Sequence, residues 1–221
     1  MDKTLDEAKF LLKKYNQEHL LNGYENLDEN KKKMLLDQIF SIDFELINSL
    51  YENTKKELNS SADKIEPMEY LDKYKLNDKY KYYEKLGKDA IKQGKLAAVT
   101  MAGGQGTRLG HNGPKGTYDI GLDSHKSLFE LLADALKEEG KKYDVVIPWF
   151  IMTSRENNKE TVEFFEKNKF FGYRKDKDIF FFIQGELPMV DTEGKILIGE
   201  DGLIKQAADG HGGIYESLVK N

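Results

Sequence analysis

LAAVTMAGGQGTRLG, residues 96–110, is the stretch on which the fold reading turns. Leu96 to Met101 is a short apolar run of the kind that makes a buried strand. Gly103, Gly104 and Gly106 follow directly. Glycines at such a place permit positive φ and close backbone approach. In an open α/β sheet, ligands gather beyond the carboxyl ends of the strands, and a glycine-rich loop there can aim N–H groups at phosphate oxygens. Two familiar phosphate motifs fail here. The P-loop requires G-x-x-x-x-G-K-[ST], whereas Lys115 lies in Pro114-Lys115-Gly116. The dinucleotide fingerprint requires glycine two and five positions after the first; from Gly104 this finds Gly106 and then Leu109. What remains is G-G-x-G-T-R followed by P-K-G, which puts two cations, Arg108 and Lys115, on one loop. Fixed cations beside backbone donors suit a polyphosphate and a departing pyrophosphate. The plainer alternative is a tight turn carrying two solvated cations.

Beyond this loop the pattern alternates. Ser127 to Glu139 reads as a helix with Leu128, Leu131, Leu132, Ala135 and Leu136 inward. Val145 to Met152 reads as a second buried strand, Glu156 to Asn168 as a helix carrying Val162, Phe164 and Phe165, and Ile179 to Ile183 as a third strand. Strand–helix–strand–helix–strand implies parallel pairing with right-handed crossovers. KILIGEDGLIKQA, residues 195–207, carries a hairpin signal at Asp201-Gly202. Trp149 and the run Phe180 to Phe182 read as core rather than as a stacking platform.

Before Gly94 the chain is rich in Lys, Glu, Asn and Leu with helical periodicity. Thr4 and Glu7 have capping-box spacing. The helix they open is expected to run past Phe10, Leu11 and Leu12 towards Leu20 and Leu21, ending at Gly23. A second is expected from Asp28 with Met34, Leu35, Ile39 and Phe40 on one face, and a third from Phe44 to Leu58 burying Leu46, Ile47 and Leu50. Ser60 to Asp78 reads as loop-rich, and Tyr80 to Gln93 as a helix stopped by Gly94. The expected division is a helical region over 1–93 and an α/β domain over 94–221.

The 221 residues carry a net charge of −5, which leaves no basic excess to neutralise a nucleic acid. No cysteine is present, so disulfides and thiol chemistry are excluded. No apolar run approaches the roughly 18 residues of a membrane span, and MDKTLDEAKF lacks a signal-peptide core. A cytoplasmic location is expected. His19, His111 and His125 show no metal-ligand spacing.

At the glycine-rich loop the chain resembles the UDP-sugar pyrophosphorylases of the eukaryotic UDPGP type, with the UDP-N-acetylglucosamine branch the most similar. The family loop has the form L-A-G-G-x-G-T-R-L-G followed by P-K-G, and here stands as MAGGQGTRLGHNGPKG with Met101 first. The likeness continues in KSLFELLADAL, IPWFIMTS, FFEKNKFFG, FFIQGELP and ADGHGGIY. It implies a Rossmann-like, GT-A-like nucleotidyltransferase with a mixed sheet, incomplete within this length and preceded by a helical region. It implies that Met101, Ala102, Gly103 and Gly104 contact the nucleotide, and that Arg108 and Lys115 hold the phosphates and stabilise charge during transfer. Gln184 would hydrogen-bond the uracil, and an amide can both donate to and accept from its edge. Gly210 and His211 would lie by the nucleoside and the sugar phosphate. The N-acetylglucosamine branch usually has Asn where His211 stands, and the glucose-type and broader branches tend to have His. Ala208 replaces a common proline. These two departures bear on the sugar, not on the reaction class. Family members continue past this length with an aspartate for Mg²⁺, further strands, a distal lysine and a C-terminal domain, none of which can be assigned here. A half-sheet of this kind predicts an open edge and an open core, with modest stability or an association that covers the edge.

The resemblance therefore implies the reaction UTP plus sugar 1-phosphate to UDP-sugar plus pyrophosphate, with Mg²⁺ as cofactor, N-acetylglucosamine 1-phosphate favoured and glucose 1-phosphate or broad specificity as the alternative. A second reading is a module that holds UTP or UDP-sugar without turnover. A third is an interaction role for the Lys/Glu-rich helices, whose charges are more simply a solvated face.

Overall fold

Thr4 opens the first helix with the expected reciprocal cap. Its backbone N–H and its hydroxyl donate to the Glu7 carboxylate at 3.1 and 3.0 Å, and its Oγ1 accepts from the Glu7 N–H at 3.3 Å. The computed structural model describes residues 4–56, 66–76 and 78–220. Along them run α1 (Leu5–Lys14), α2 (Glu29–Ser41), α3 (Phe44–Lys55), α4 (Asp78–Lys92), β1 (Ala98–Met101), α5 (Leu128–Tyr143), β2 (Trp149–Thr153), α6 (Asn158–Lys167), β3 (Ile179–Ile183), β4 (Glu186–Pro188), β5 (Gln206–Ala208) and α7 (Ile214–Lys220). By compactness the chain forms two units, Met1–Ile65 with Glu186–Ala208 and Glu66–Gly185 with Asp209–Asn221. The functional division at residues 93 and 94 stays a proposal. The helix end expected at Leu58, and much of the loop expected over Ser60 to Asp78, lie outside the described residues.

The first unit packs α1 to α3 with the segment 186–208. Ala8, Leu12, Leu35, Leu36, Ile39 and Phe44 form one buried cluster with Leu20, Ile196 and Ile204. The first helix stops at Lys14, short of the expected Leu21. Asn16 adopts φ 55°, a left-handed conformation that Asn tolerates, and Leu20 and Leu21 fall in a separate 3₁₀ turn, Glu18–Leu21. Gln17 anchors that break from its buried position, donating to Gly194 O at 2.9 Å and accepting from the Ile196 N–H at 3.0 Å. In α3 the buried face is Phe44 and Ile47, while Leu46 and Leu50 are exposed. Met34 of α2 is likewise exposed. β4 and β5 pair antiparallel, and Ile198 bridges Ile204 around Gly202 at φ 80°, the expected hairpin.

In the second unit β1, β2 and β3 form a parallel sheet in that order. Thr100, Ile151 and Phe181 lie in one register row. Phe129 and Ala133 of α5, Phe165 of α6, Tyr173, and Trp149, Ile151 and Ile179 of the sheet close one aromatic-rich core. Trp149 is thus core, and its Nε1–H donates to Thr100 Oγ1 at 2.8 Å.

Three expectations fail in instructive ways. One face of β1 is uncovered, so burial alternates along it: Val99 and Met101 are exposed where a buried run was expected. β2 begins at Trp149 rather than Val145, because Pro148 has no N–H to give a ladder. On α5 the fully buried residues are Phe129, Ala133 and Gly140; of the expected face Leu136 packs against the core, while Leu132 and Ala135 are exposed. Gly140 is required there: a Cβ would stand 2.5 Å from Val145 O.

Candidate functional site

The loop after β1 begins where the sheet ends. Ala102 N–H donates to Met152 O at 2.6 Å and Gln184 N–H to Thr153 O at 2.8 Å. These bonds extend the two parallel ladders by one residue and put Ala102 and Gln184 together at the carboxyl ends of the strands. Between them, a Cβ on Gly103 would stand 3.0 Å from Gln184 Oε1 and 3.3 Å from Ser154 N. The Gln184 amide oxygen therefore lies against the glycine loop. Its Nε2 donates to Gly210 O at 3.0 Å and lies 3.4 Å from Asp209 Oδ1.

The two cations sit on two short 3₁₀ turns, Thr107–Leu109 and Lys115–Thr117. Backbone bonds close the loop that carries them. Gly106 N–H donates to Gly113 O at 2.8 Å, His111 N–H to Gly106 O at 3.2 Å and Lys115 N–H to Gly104 O at 3.0 Å. The last of these bends the Lys115 side chain over the loop, with its Cε and Nζ 3.9 Å from the Cβ position of Gly104. Arg108 and Lys115 are both exposed, and among the described residues neither is paired with a carboxylate.

Gly103, Gly104, Lys115, Gln184 and Gly210 thus come together. Ala102 joins them through the backbone. Met101, half exposed at the end of β1, Arg108, and His211, in the exposed 3₁₀ turn His211–Gly213, make no side-chain hydrogen bond or ion pair with that group among the described residues. The assembly can offer backbone donors and the Lys115 ammonium, unpaired among the described residues, to an anion, and an amide oxygen that accepts no hydrogen bond among the described residues to a polar ring.

Two residues of the site were given no role from the sequence: Asn157, outside the quoted motifs, and Asp209, inside ADGHGGIY. Asn157 is fully buried just before α6. Its Nδ2 donates to Ala102 O at 2.9 Å and lies 3.5 Å from Gly104 O, and its Oδ1 accepts from the Ser154 N–H at 3.0 Å. It holds the glycine loop against the start of α6. Asp209 packs its carboxylate between two glycines: Cβ atoms on Gly185 and Gly213 would each stand 2.2 Å from its oxygens. An Asn opening a helix after a strand, and an Asp ahead of G-x-G-G, are the only signals, and both are common.

Among the described residues no group of three or more His, Asp or Glu could hold a metal ion, and no helix is long and apolar enough to cross a membrane.

The family described as UTP–glucose-1-phosphate uridylyltransferase matches residues 41–221. The UDP-N-acetylglucosamine pyrophosphorylase of Saccharomyces cerevisiae is 38% identical over 216 residues, covering 95% of the chain and 44% of that protein. UDP-N-acetylglucosamine diphosphorylase 2 of Arabidopsis thaliana is 34% identical over 223 residues, covering 94% and 44%. The solved uridine diphosphate N-acetylglucosamine pyrophosphorylase of Trypanosoma brucei superimposes with a TM-score of 0.74 at 28% identity, covering 96% of the chain and 44% of that structure. The chain spans a little under half the length of these relatives.

Proposed function

Because the chain belongs to the UTP–glucose-1-phosphate uridylyltransferase family, we propose that it carries the nucleotide-binding part of an enzyme that joins UTP and a sugar 1-phosphate into a UDP-sugar with release of pyrophosphate. The observation that supports this most is the Gln184 amide oxygen lying against Gly103 at the strand ends, with Lys115, unpaired among the described residues, over the neighbouring Gly104. Gln184 Oε1 accepts no hydrogen bond among the described residues and would take the N3–H of uracil, while its Nε2, bonded here to Gly210 O and Asp209 Oδ1, would exchange one of these partners for a ring carbonyl. Adenine presents a different donor and acceptor order, so one amide so placed favours uridine.

The sugar phosphate oxygen attacks the α-phosphorus, and the bond to the leaving pyrophosphate breaks on the opposite side. The nucleophile is already ionised at neutral pH and needs no general base. That fits a site without a nucleophile–base pair. Catalysis then rests on positioning and on neutralising charge. Lys115 and Arg108 would hold the phosphates and offset the charge that grows on pyrophosphate. Met101 to Gly104 would line the nucleotide, and Gly210 and His211 the nucleoside and sugar phosphate. Mg²⁺ is implied by the family. The described residues offer no ready cage for it, so no step here passes through it.

N-acetylglucosamine 1-phosphate is the favoured acceptor, by likeness to the yeast and Arabidopsis proteins. His211 keeps glucose 1-phosphate as the second reading. Pyrophosphate release from UTP with each sugar phosphate tests the pair. Faster release with the N-acetylated sugar is expected, and faster release with glucose 1-phosphate reverses the assignment. UTP binding with no release from any sugar phosphate leaves a binding module without turnover.

A further inference from the structure

We propose that His111 is a positioning residue that latches together the two turns bearing Arg108 and Lys115, and so sets the spacing at which they meet a polyphosphate. This rests on the nucleotide reading above. His111 lies between the two turns, partly buried. Its Nε2 is 2.7 Å from Thr117 Oγ1, and that hydroxyl donates to Pro114 O at 2.8 Å. Thr117 has one proton and directs it to Pro114, so it accepts from His111, and Nε2 carries the hydrogen. The imidazole thus ties the Lys115–Thr117 turn to the chain that follows the Arg108 turn.

Packing makes the latch specific. A Cβ on Gly106 would stand 2.8 Å from His111 Cδ2 and 2.9 Å from its Cβ, so the ring needs glycine at that position. The Tyr118 ring centroid lies 5.4 Å from that of His111. The Cβ position of Gly113 lies 3.4 Å from His111 Nε2 and 2.7 Å from Glu160 Oε1 of α6, so Gly113 too has no room for a side chain. No other side-chain hydrogen bond among the described residues links the stretch between the two turns to the second turn.

The test is titration of UTP and of UMP into the unaltered chain and into His111→Ala, His111→Gln, Thr117→Val and the His111→Ala/Thr117→Val double variant. Glutamine can return a donor near Nε2. Valine deletes the hydroxyl at nearly constant volume, and carries the test if His111→Ala does not fold. His111→Ala should weaken UTP roughly 3- to 10-fold, the worth of one hydrogen bond, and Thr117→Val, which also loses the bond to Pro114 O, by at least as much. UMP, with one phosphate, should change far less. His111→Gln should restore UTP affinity, and the double variant should be no weaker than Thr117→Val alone. UTP binding left unchanged by both single variants overturns the latch alone. Equal losses for UTP and UMP overturn it too, because they would mark a general packing role. An unaltered chain that binds no UTP overturns the nucleotide reading and the latch with it.

Discussion

Two neighbouring glycines, alike in sequence, are asked for different things by their surroundings. A Cβ on Gly103 would press on Gln184 Oε1 at 3.0 Å, whereas the nearest atom to one on Gly104 is the flexible end of Lys115 at 3.9 Å. Neither has a positive φ. Gly103→Ala should therefore displace the amide and erode the preference for UTP over ATP, while Gly104→Ala should keep it. Comparative titration of the two variants checks this, and equal selectivity in both would refute the role of Gln184. Lys115→Ala removes the free ammonium, and by analogy with other charge-stabilising donors should cost roughly 10²–10³ in turnover. Near-full turnover would take Lys115 out of the mechanism. Residues of this kind were legible because glycines, a lysine and an amide announce themselves by type and by position after a strand. Asn157 and Asp209 were not, because their importance lies in burial and in what faces them.

At the scale of elements, strands and helices were read well in kind and less well in phase. β3 falls on the expected residues because IFFFI is bounded on both sides by polar chain. β1 departs from the buried strand expected of it because an apolar run looks the same whether one face of the strand is covered or both. The face of α5 was misjudged because Leu outweighs Ala and Gly in any hydropathy reading, yet Ala133 and Gly140 are the residues that let the helix approach its neighbours. The junction between β2 and α6 is the element most exposed to test. Asn157→Leu keeps bulk but removes both the donor to Ala102 O and the acceptor for Ser154 N–H. Buried groups left without partners cost about 1–3 kcal/mol. Denaturant unfolding should show a loss of that size, with UTP binding weakened further because the glycine loop loses its tether. A stability equal to the unaltered chain would show that the tether is dispensable.

For the whole molecule, acid is the informative stress. Hydrogen bonds from the Arg174 side chain hold the Asp178 carboxyl below its ordinary range, against opposing desolvation. Lys126, and then Lys137, act in the same way on Asp134. A carboxyl lowered on folding adds stability above its unfolded value near pH 4, and that stability is lost as pH falls through the folded value. Asp178 also accepts from the Arg174 backbone N–H and lies directly before β3. Asp178→Asn should therefore be less stable than the unaltered chain at pH 7, and the gap should narrow by pH 3. A constant gap would mean that the ion pair contributes nothing. Two compact units and a three-stranded parallel sheet define what this chain holds. The central claim is that these residues alone form a uridine nucleotide site, and calorimetric titration with UTP against ATP, with and without Mg²⁺, tests it most directly. Saturable binding of UTP with ATP weaker by about tenfold or more is the expected result, one amide pair being worth roughly that ratio. Equal binding of both nucleotides, or of neither by a folded sample, would contradict it.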